Sequence, residues 1–149
     1  MEYSKNEYIM PVHKQDVKNV RFDSPAHKGP LENAIDYELE EGRPILAAAS
    51  GKVVFVKDDS NVGGPDKKYW HDGNRVVIQH PNGEFSAYEH LRFKSALVKK
   101  GDEVKEGQII GNSGNTGFTF GPHLHFEIFK FVGEGPEDIQ TLKVKFKDK

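Results

Sequence analysis

The segment His123-Leu124-His125-Phe126-Glu127 follows a glycine-rich stretch, Ser113-Gly114-Asn115-Thr116-Gly117, that ends in Gly121-Pro122. It puts two imidazoles and a carboxylate at alternate positions. Side chains alternate across a strand, so His123, His125 and Glu127 are expected on one face and Leu124, Phe126 and Ile128 on the other. A polar face backed by an apolar one suits a metal site, where one ring binds an ion and its neighbour handles protons.

Other residues of the right type lie upstream. His27 sits in Ser24-Pro25-Ala26-His27-Lys28-Gly29-Pro30, Asp36 in Ala34-Ile35-Asp36-Tyr37, and His90 in Ala87-Tyr88-Glu89-His90-Leu91. A catalytic zinc takes three protein ligands and keeps one position open for water. His27, Asp36 and His125 would form such a set, leaving His123 and His90 for proton transfer and oxyanion stabilisation. Glu127 is a candidate partner for the outer nitrogen of His125, since a metal-bound imidazole usually donates its other N–H to such a group. By strand alternation Tyr88 is expected on the side of His90. His80, next to a turn, reads as structural, and His13 and His71 as surface residues, with His71 able to touch a substrate from its loop.

These residues must be positioned mainly by strands. Fifteen glycines and eight prolines cut the chain into short pieces. Strands are expected near 45–48, 51–57, 75–80, 84–91, 108–111, 123–130 and 142–147. Pro81-Asn82-Gly83 between two apolar-rich runs signals a hairpin. No window carries a sustained helical period, so the expected class is all-β. Residues 63–73 form a polar loop with the single tryptophan, Trp70, which is expected to wall a groove. Residues 41–54 and 100–111 resemble each other faintly, a hint of a duplicated sheet. Asn115 and Thr116 are expected to shape the turn before the histidine strand.

Composition excludes several classes. The 149 residues suit one domain, 1–149, with a sizeable core. A net charge of −2 lacks the basic footprint of a nucleic-acid binder. The apolar runs are too short to span a bilayer. With no cysteine there can be no disulfide and no thiolate ligand, so any zinc must use nitrogen and oxygen donors. The start, Met1-Glu2-Tyr3-Ser4-Lys5, shows no apolar signal-peptide core.

The ordered set of motifs resembles the lysostaphin-like (LytM-like) M23 zinc endopeptidases over residues 8–146. The matching parts are 24–36, Gly42-Arg43-Pro44-Ile45, Gly51-Lys52-Val53-Val54, Tyr88-Glu89-His90-Leu91, Gly101-Asp102-Glu103-Val104 and Gly121-Pro122-His123-Leu124-His125-Phe126. The resemblance implies a compact antiparallel β domain of the duplicated hybrid-motif type with a substrate groove. It implies one zinc ion on His27, Asp36 and His125, with His123 and His90 catalytic: His123 as the base on the attacking water and His90 polarising the carbonyl or stabilising the oxyanion. The implied substrate is the peptide portion of bacterial peptidoglycan, stems or cross-bridges, and the implied location is the periplasm, cell envelope or exterior. One departure stands out, because eight residues separate His27 from Asp36 where the compact form of the motif has a shorter gap. A longer form ending like Ala34-Ile35-Asp36-Tyr37 also fits the family, with Asp23 and Glu32 as the alternative carboxylates. A non-catalytic member that binds peptidoglycan or activates another hydrolase is the alternative reading. A biotinyl- or lipoyl-type carrier would need a lysine at a tight hairpin tip, which 100–108 does not offer.

Overall fold

The computed structural model describes residues 2–22 and 32–147. Within them the strands are, in chain order, β1 (Tyr3–Tyr8), β2 (Asn19–Arg21), β3 (Ile35–Glu38), β4 (Pro44–Leu46), β5 (Gly51–Lys57), β6 (Gly63–Gly64), β7 (Arg75–Gln79), β8 (Phe85–Glu89), β9 (Glu103–Val104), β10 (Ile109–Asn112), β11 (Gly117–Phe118), β12 (His123–Phe131) and β13 (Ile139–Phe146). The only helical pieces among the described residues are short 3-10 turns. The chain is all-β, as its composition and periodicity suggest.

The long strand β12 organises the main sheet. One edge pairs with β8 from His125 to Phe129. The other edge is shared: β3 pairs with residues His123 to Phe126, and β13 with Ile128 to Phe131. The sheet then runs outward through β7, β5 and β9 on one side and through β13 and β1 on the other. Alternation along β12 separates core from site. Leu124, Phe126 and Ile128 are fully buried and pack with Tyr37, Val76, Ile78, Tyr88 and Leu142. Each such side chain contributes about 1.5–3 kcal/mol through its burial.

The faint internal likeness has a structural counterpart. The two similar segments pair with each other reciprocally, β4 with β10 and β5 with β9. Pro81-Asn82-Gly83 does link two antiparallel strands, β7 and β8. Asn82 (φ 64°) and Gly83 (φ 70°) both adopt the left-handed conformation that such a tight link requires. His80 is structural, as expected. Its Nδ1 bonds the Ser50 carbonyl at 2.8 Å and its Nε2 the Ser86 hydroxyl at 2.7 Å.

Six strands escape the sequence pattern, β1, β2, β3, β6, β9 and β11, and all but β1 are four residues or shorter. β1 is polar apart from its tyrosines, and β3, Ile35-Asp36-Tyr37-Glu38, alternates over too few residues to stand out. Tyr88 also departs from expectation. It is fully buried on the core face, where its hydroxyl accepts from the Ala48 N–H at 2.8 Å. β8 ends at Glu89, and His90 has a φ of 70°, which breaks the alternation and turns its ring toward the opposite face.

Candidate metal centre and its groove

Directly opposed residues of an antiparallel pair present their side chains on the same side. The registers Arg21–Asp36, Asp36–His125, His125–Glu89, Glu89–Arg75 and Arg75–Lys57 therefore make one continuous row of charged or ionisable groups across β2, β3, β12, β8, β7 and β5. Asp36 and His125 sit at its middle, buried to 7 % and 6 % exposure. Aspartate is seldom buried without partners, and here the partners are imidazoles.

The donor geometry is specific. Asp36 Oδ1 lies 3.2 Å from His125 Nδ1 and 3.7 Å from His123 Nε2. Two ligands on a tetrahedral zinc with bonds of 2.0–2.1 Å stand about 3.3 Å apart. The Asp36–His125 spacing matches, and a carboxylate with an imidazole is the nitrogen–oxygen donor set that a cysteine-free chain must use. His125 Nε2 is engaged on its far side by Glu127 Oε1 at 2.8 Å, with Glu89 Oε2 at 4.0 Å. Glu89, His125 and Glu127 have donor atoms within 4.8 Å of one another and form a second group able to approach a metal. The Glu127 contact, however, is a hydrogen bond of the kind that fixes a ligating ring.

The two remaining histidines are aimed by backbone carbonyls. His90 Nδ1 donates to the Thr116 carbonyl at 2.6 Å, and His123 Nδ1 to that of Gly121 at 2.9 Å. A carbonyl only accepts, so both neutral rings carry their proton on Nδ1 and leave Nε2 as an acceptor. The ring centroids are 4.5 Å apart. Thr116, expected to shape its turn by local bonds, instead ties the turn to distant segments: its hydroxyl donates to the Leu91 carbonyl and accepts from the Asn74 N–H. Gly117 (φ 83°) allows this approach, since a Cβ there would come within 2.7 Å of Gly73 Cα.

Electrostatics separates the rings. Burial, reinforced by the neighbouring His123 and His125, pushes His90 down to about 4, so it is neutral at physiological pH. For His125 burial acts in the same direction. The carboxylates of Glu89, Asp36 and Glu127 outweigh it and hold that ring well above the usual imidazole range when no metal is bound. Glu89 is held below the usual carboxylate range although burial opposes this, chiefly by His125 and then by Arg75.

The cluster opens onto two limbs of a groove, with His90, Phe118 and His125 lining both. One limb, about 800 Å³, runs past Asp36, His123, Phe120, Lys18 and Arg21. The other, about 560 Å³, runs past Trp70, His71, Arg75, Phe129 and Phe131. Trp70 does wall the groove, 54 % exposed and packed on Phe118 with ring centroids 5.8 Å apart.

Of the residues singled out from sequence, Asp36, His90, His123 and His125 come together here. His27 and the alternative carboxylate Asp23 lie outside the described residues. Glu32 is exposed and does not line the groove. Sequence reading passes over Glu89 and Arg75. Their signal is the cross-strand row, which is visible only once the register is known.

Comparisons with known proteins agree with this architecture. The model of Peptidase family M23 matches residues 30–138. Peptidoglycan DD-endopeptidase ShyA of Vibrio cholerae is 41 % identical over 96 residues, 64 % of this chain and 20 % of that protein. Peptidoglycan DD-endopeptidase ShyB of the same organism is 34 % identical over 134 residues, 86 % of this chain and 28 % of that protein. The chain thus spans between a fifth and three tenths of the length of these relatives. Among solved structures, the catalytic domain of the antimicrobial peptidase lysostaphin from Staphylococcus simulans superposes with a TM-score of 0.55 at 30 % identity, covering 76 % of this chain and 80 % of that one. A zinc containing peptidase from Vibrio cholerae superposes with a TM-score of 0.59 at 29 % identity, covering 83 % and 36 % respectively. With the family model matching well over half of its residues, the chain belongs to peptidase family M23.

Proposed function

We propose that this chain is a zinc-dependent endopeptidase that hydrolyses peptide bonds in the stems or cross-bridges of bacterial peptidoglycan. The observation that carries the reading is the 3.2 Å approach of Asp36 Oδ1 to His125 Nδ1 beside two imidazoles whose Nε2 atoms are hydrogen-bond acceptors. Asp36 and His125 would hold the ion with His27, the ligand that the family motif supplies. When bound, zinc provides a Lewis acid that polarises the scissile carbonyl and brings the pKa of water toward about 7.

The chain's own groups divide the remaining work. His123 Nε2 takes a proton from the attacking water as the water oxygen bonds to the carbonyl carbon. The Gly121 carbonyl fixes the ring for this, and Asp36 Oδ1 at 3.7 Å faces the proton that the ring gains. His123 then returns the proton to the leaving amine as the C–N bond breaks. His90, neutral and with Nε2 as an acceptor, orients the water through its second hydrogen. The oxyanion role considered for it would need an Nε2–H, which the bond to Thr116 takes from the neutral ring. Glu127 holds His125 in its ligating orientation.

Activity on peptidoglycan would place the protein in the cell envelope or outside the cell; among the described residues no helix is long and apolar enough to cross a membrane. A binding or activating role is not favoured, because the described part of the donor and proton-transfer set is intact. The test is a pair of variants. His125→Ala should lose zinc and peptide hydrolysis together, whereas His123→Ala should keep zinc and lose hydrolysis. Loss of zinc from His123→Ala would reassign the roles.

A further inference from the structure

The charged row does not end at the metal centre. Beyond His125 it continues to Glu89, Arg75 and Lys57, so that two cations stand on adjacent strands at the edge of the 560 Å³ limb. Lys57 is neutralised locally, its Nζ lying 2.6 Å from Asp59 Oδ1. Arg75 is not. Its Nε is sealed from solvent and has no hydrogen-bond partner. Among the described residues no carboxylate reaches ion-pair distance of its guanidinium. Glu89, opposite in register, lies near both Arg75 and His125 but makes no hydrogen bond or ion pair to the guanidinium. The guanidinium is backed by Phe55, whose ring centroid is 5.1 Å away, so one face is dry; with Nε sealed and Arg75 lining the limb, its outer nitrogens are the ones left to meet a ligand.

A buried donor without an acceptor costs about 1–3 kcal/mol. A planar guanidinium held over an aromatic ring is also well shaped to receive a carboxylate through two parallel bonds. Strands in a sheet are spaced about 4.8 Å apart, which puts Arg75 roughly 10 Å across the sheet from His125. An extended peptide covers that distance in about three residues. The two limbs share His90, Phe118 and His125, so a chain crossing the metal centre can pass from one to the other.

We propose that Arg75 is a specificity-determining residue that receives a free carboxylate of the substrate peptide, about three residues from the bond that is cut. This rests on the endopeptidase reading above. The substrate class that it selects is an anionic peptide, and amidation of the recognised carboxylate is the modification that it rejects.

The test uses the zinc-loaded protein, a cross-linked stem peptide with its free carboxylates, and the same peptide with those carboxylates amidated. Both kcat/KM and the calorimetric Kd are measured for the wild type, Arg75→Gln and Arg75→Lys, with zinc content and thermal midpoint recorded for each. The wild type should favour the carboxylate peptide on the order of 10- to 100-fold, the range for a charge-assisted bond. Arg75→Gln should bring that ratio to about one, and Arg75→Lys should restore part of it. A ratio unchanged in Arg75→Gln, or an equal loss on both peptides, would overturn the proposal. If the wild type cuts neither peptide, the endopeptidase reading fails by itself. The Kd ratio still decides the role of Arg75: selective binding lost in Arg75→Gln supports the carboxylate site, and equal Kd values for the two peptides refute it.

Discussion

Asp36 and His125 stand directly opposite each other on neighbouring antiparallel strands, with Oδ1 and Nδ1 3.2 Å apart. The distance follows from register. A slip of one residue between β3 and β12 would send one of the two side chains into the apolar core. The core face of the same strands, with Tyr37, Leu124 and Phe126 all buried, is what prevents that slip.

Replacing Asp36 by Asn keeps size and shape and removes the charge. Zinc affinity, measured by competition with a chromophoric chelator, should fall by more than the 10- to 100-fold typical of losing a hydrogen-bonding partner of a ligand. Wild-type affinity in this variant would move the ion toward Glu89 and Glu127.

Glu127 is expected to orient His125 without ligating. Glu127→Gln, which still offers an acceptor, should lower zinc affinity about tenfold, and Glu127→Ala nearer 100-fold. The zinc-to-protein ratio should still reach one at saturation in both. A loss as large as that of Asp36→Asn would make Glu127 a ligand.

Both histidines proposed as catalytic are legible in the amino-acid sequence because a motif carries them. His123 and His125 sit in a strand whose alternation states their shared face, and His90 precedes a buried leucine. Asp36 is legible from its motif but not from local pattern, since a four-residue strand has too few positions to show a period. Tyr88 defeats the pattern for a physical reason: alternation holds only while the backbone stays extended, and the left-handed turn at His90 ends it. Glu89, by contrast, is placed at the site by that same alternation, opposite His125. Glu89 and Arg75 are out of reach of sequence reasoning because their importance lies in what the neighbouring strand sets beside them.

In the metal-free protein the His90 ring should remain neutral down to about pH 4. The unfolded chain, with an ordinary imidazole, binds that proton more readily than the native state. His90 thus contributes stability above about pH 6.5 that is lost as pH falls toward 4. His80, also lowered by burial, acts in the same direction. Ring proton shifts followed by NMR check this directly. A His90 midpoint near 6.5 would contradict the buried, carbonyl-bound ring.

On the core face a continuous hydrogen-bonded chain runs from the Ala48 N–H through Tyr88, Ser86 and His80 to the Ser50 carbonyl. Tyr88→Phe leaves the Ala48 N–H without its partner and should cost about 1–3 kcal/mol in urea unfolding. Zinc binding should be unaffected, because Tyr88 faces away from the groove. Loss of zinc would show that the two faces are coupled.

The most direct measurement is mass spectrometry of fragments released from purified peptidoglycan by the zinc-loaded protein, alongside a chelator-treated control. Peptide fragments with newly formed termini, absent from the control, are the expected result, and they identify the bond that is cut. Intact peptidoglycan from several wall chemistries, with zinc bound throughout, would contradict an endopeptidase and leave a binding or activating protein in its place.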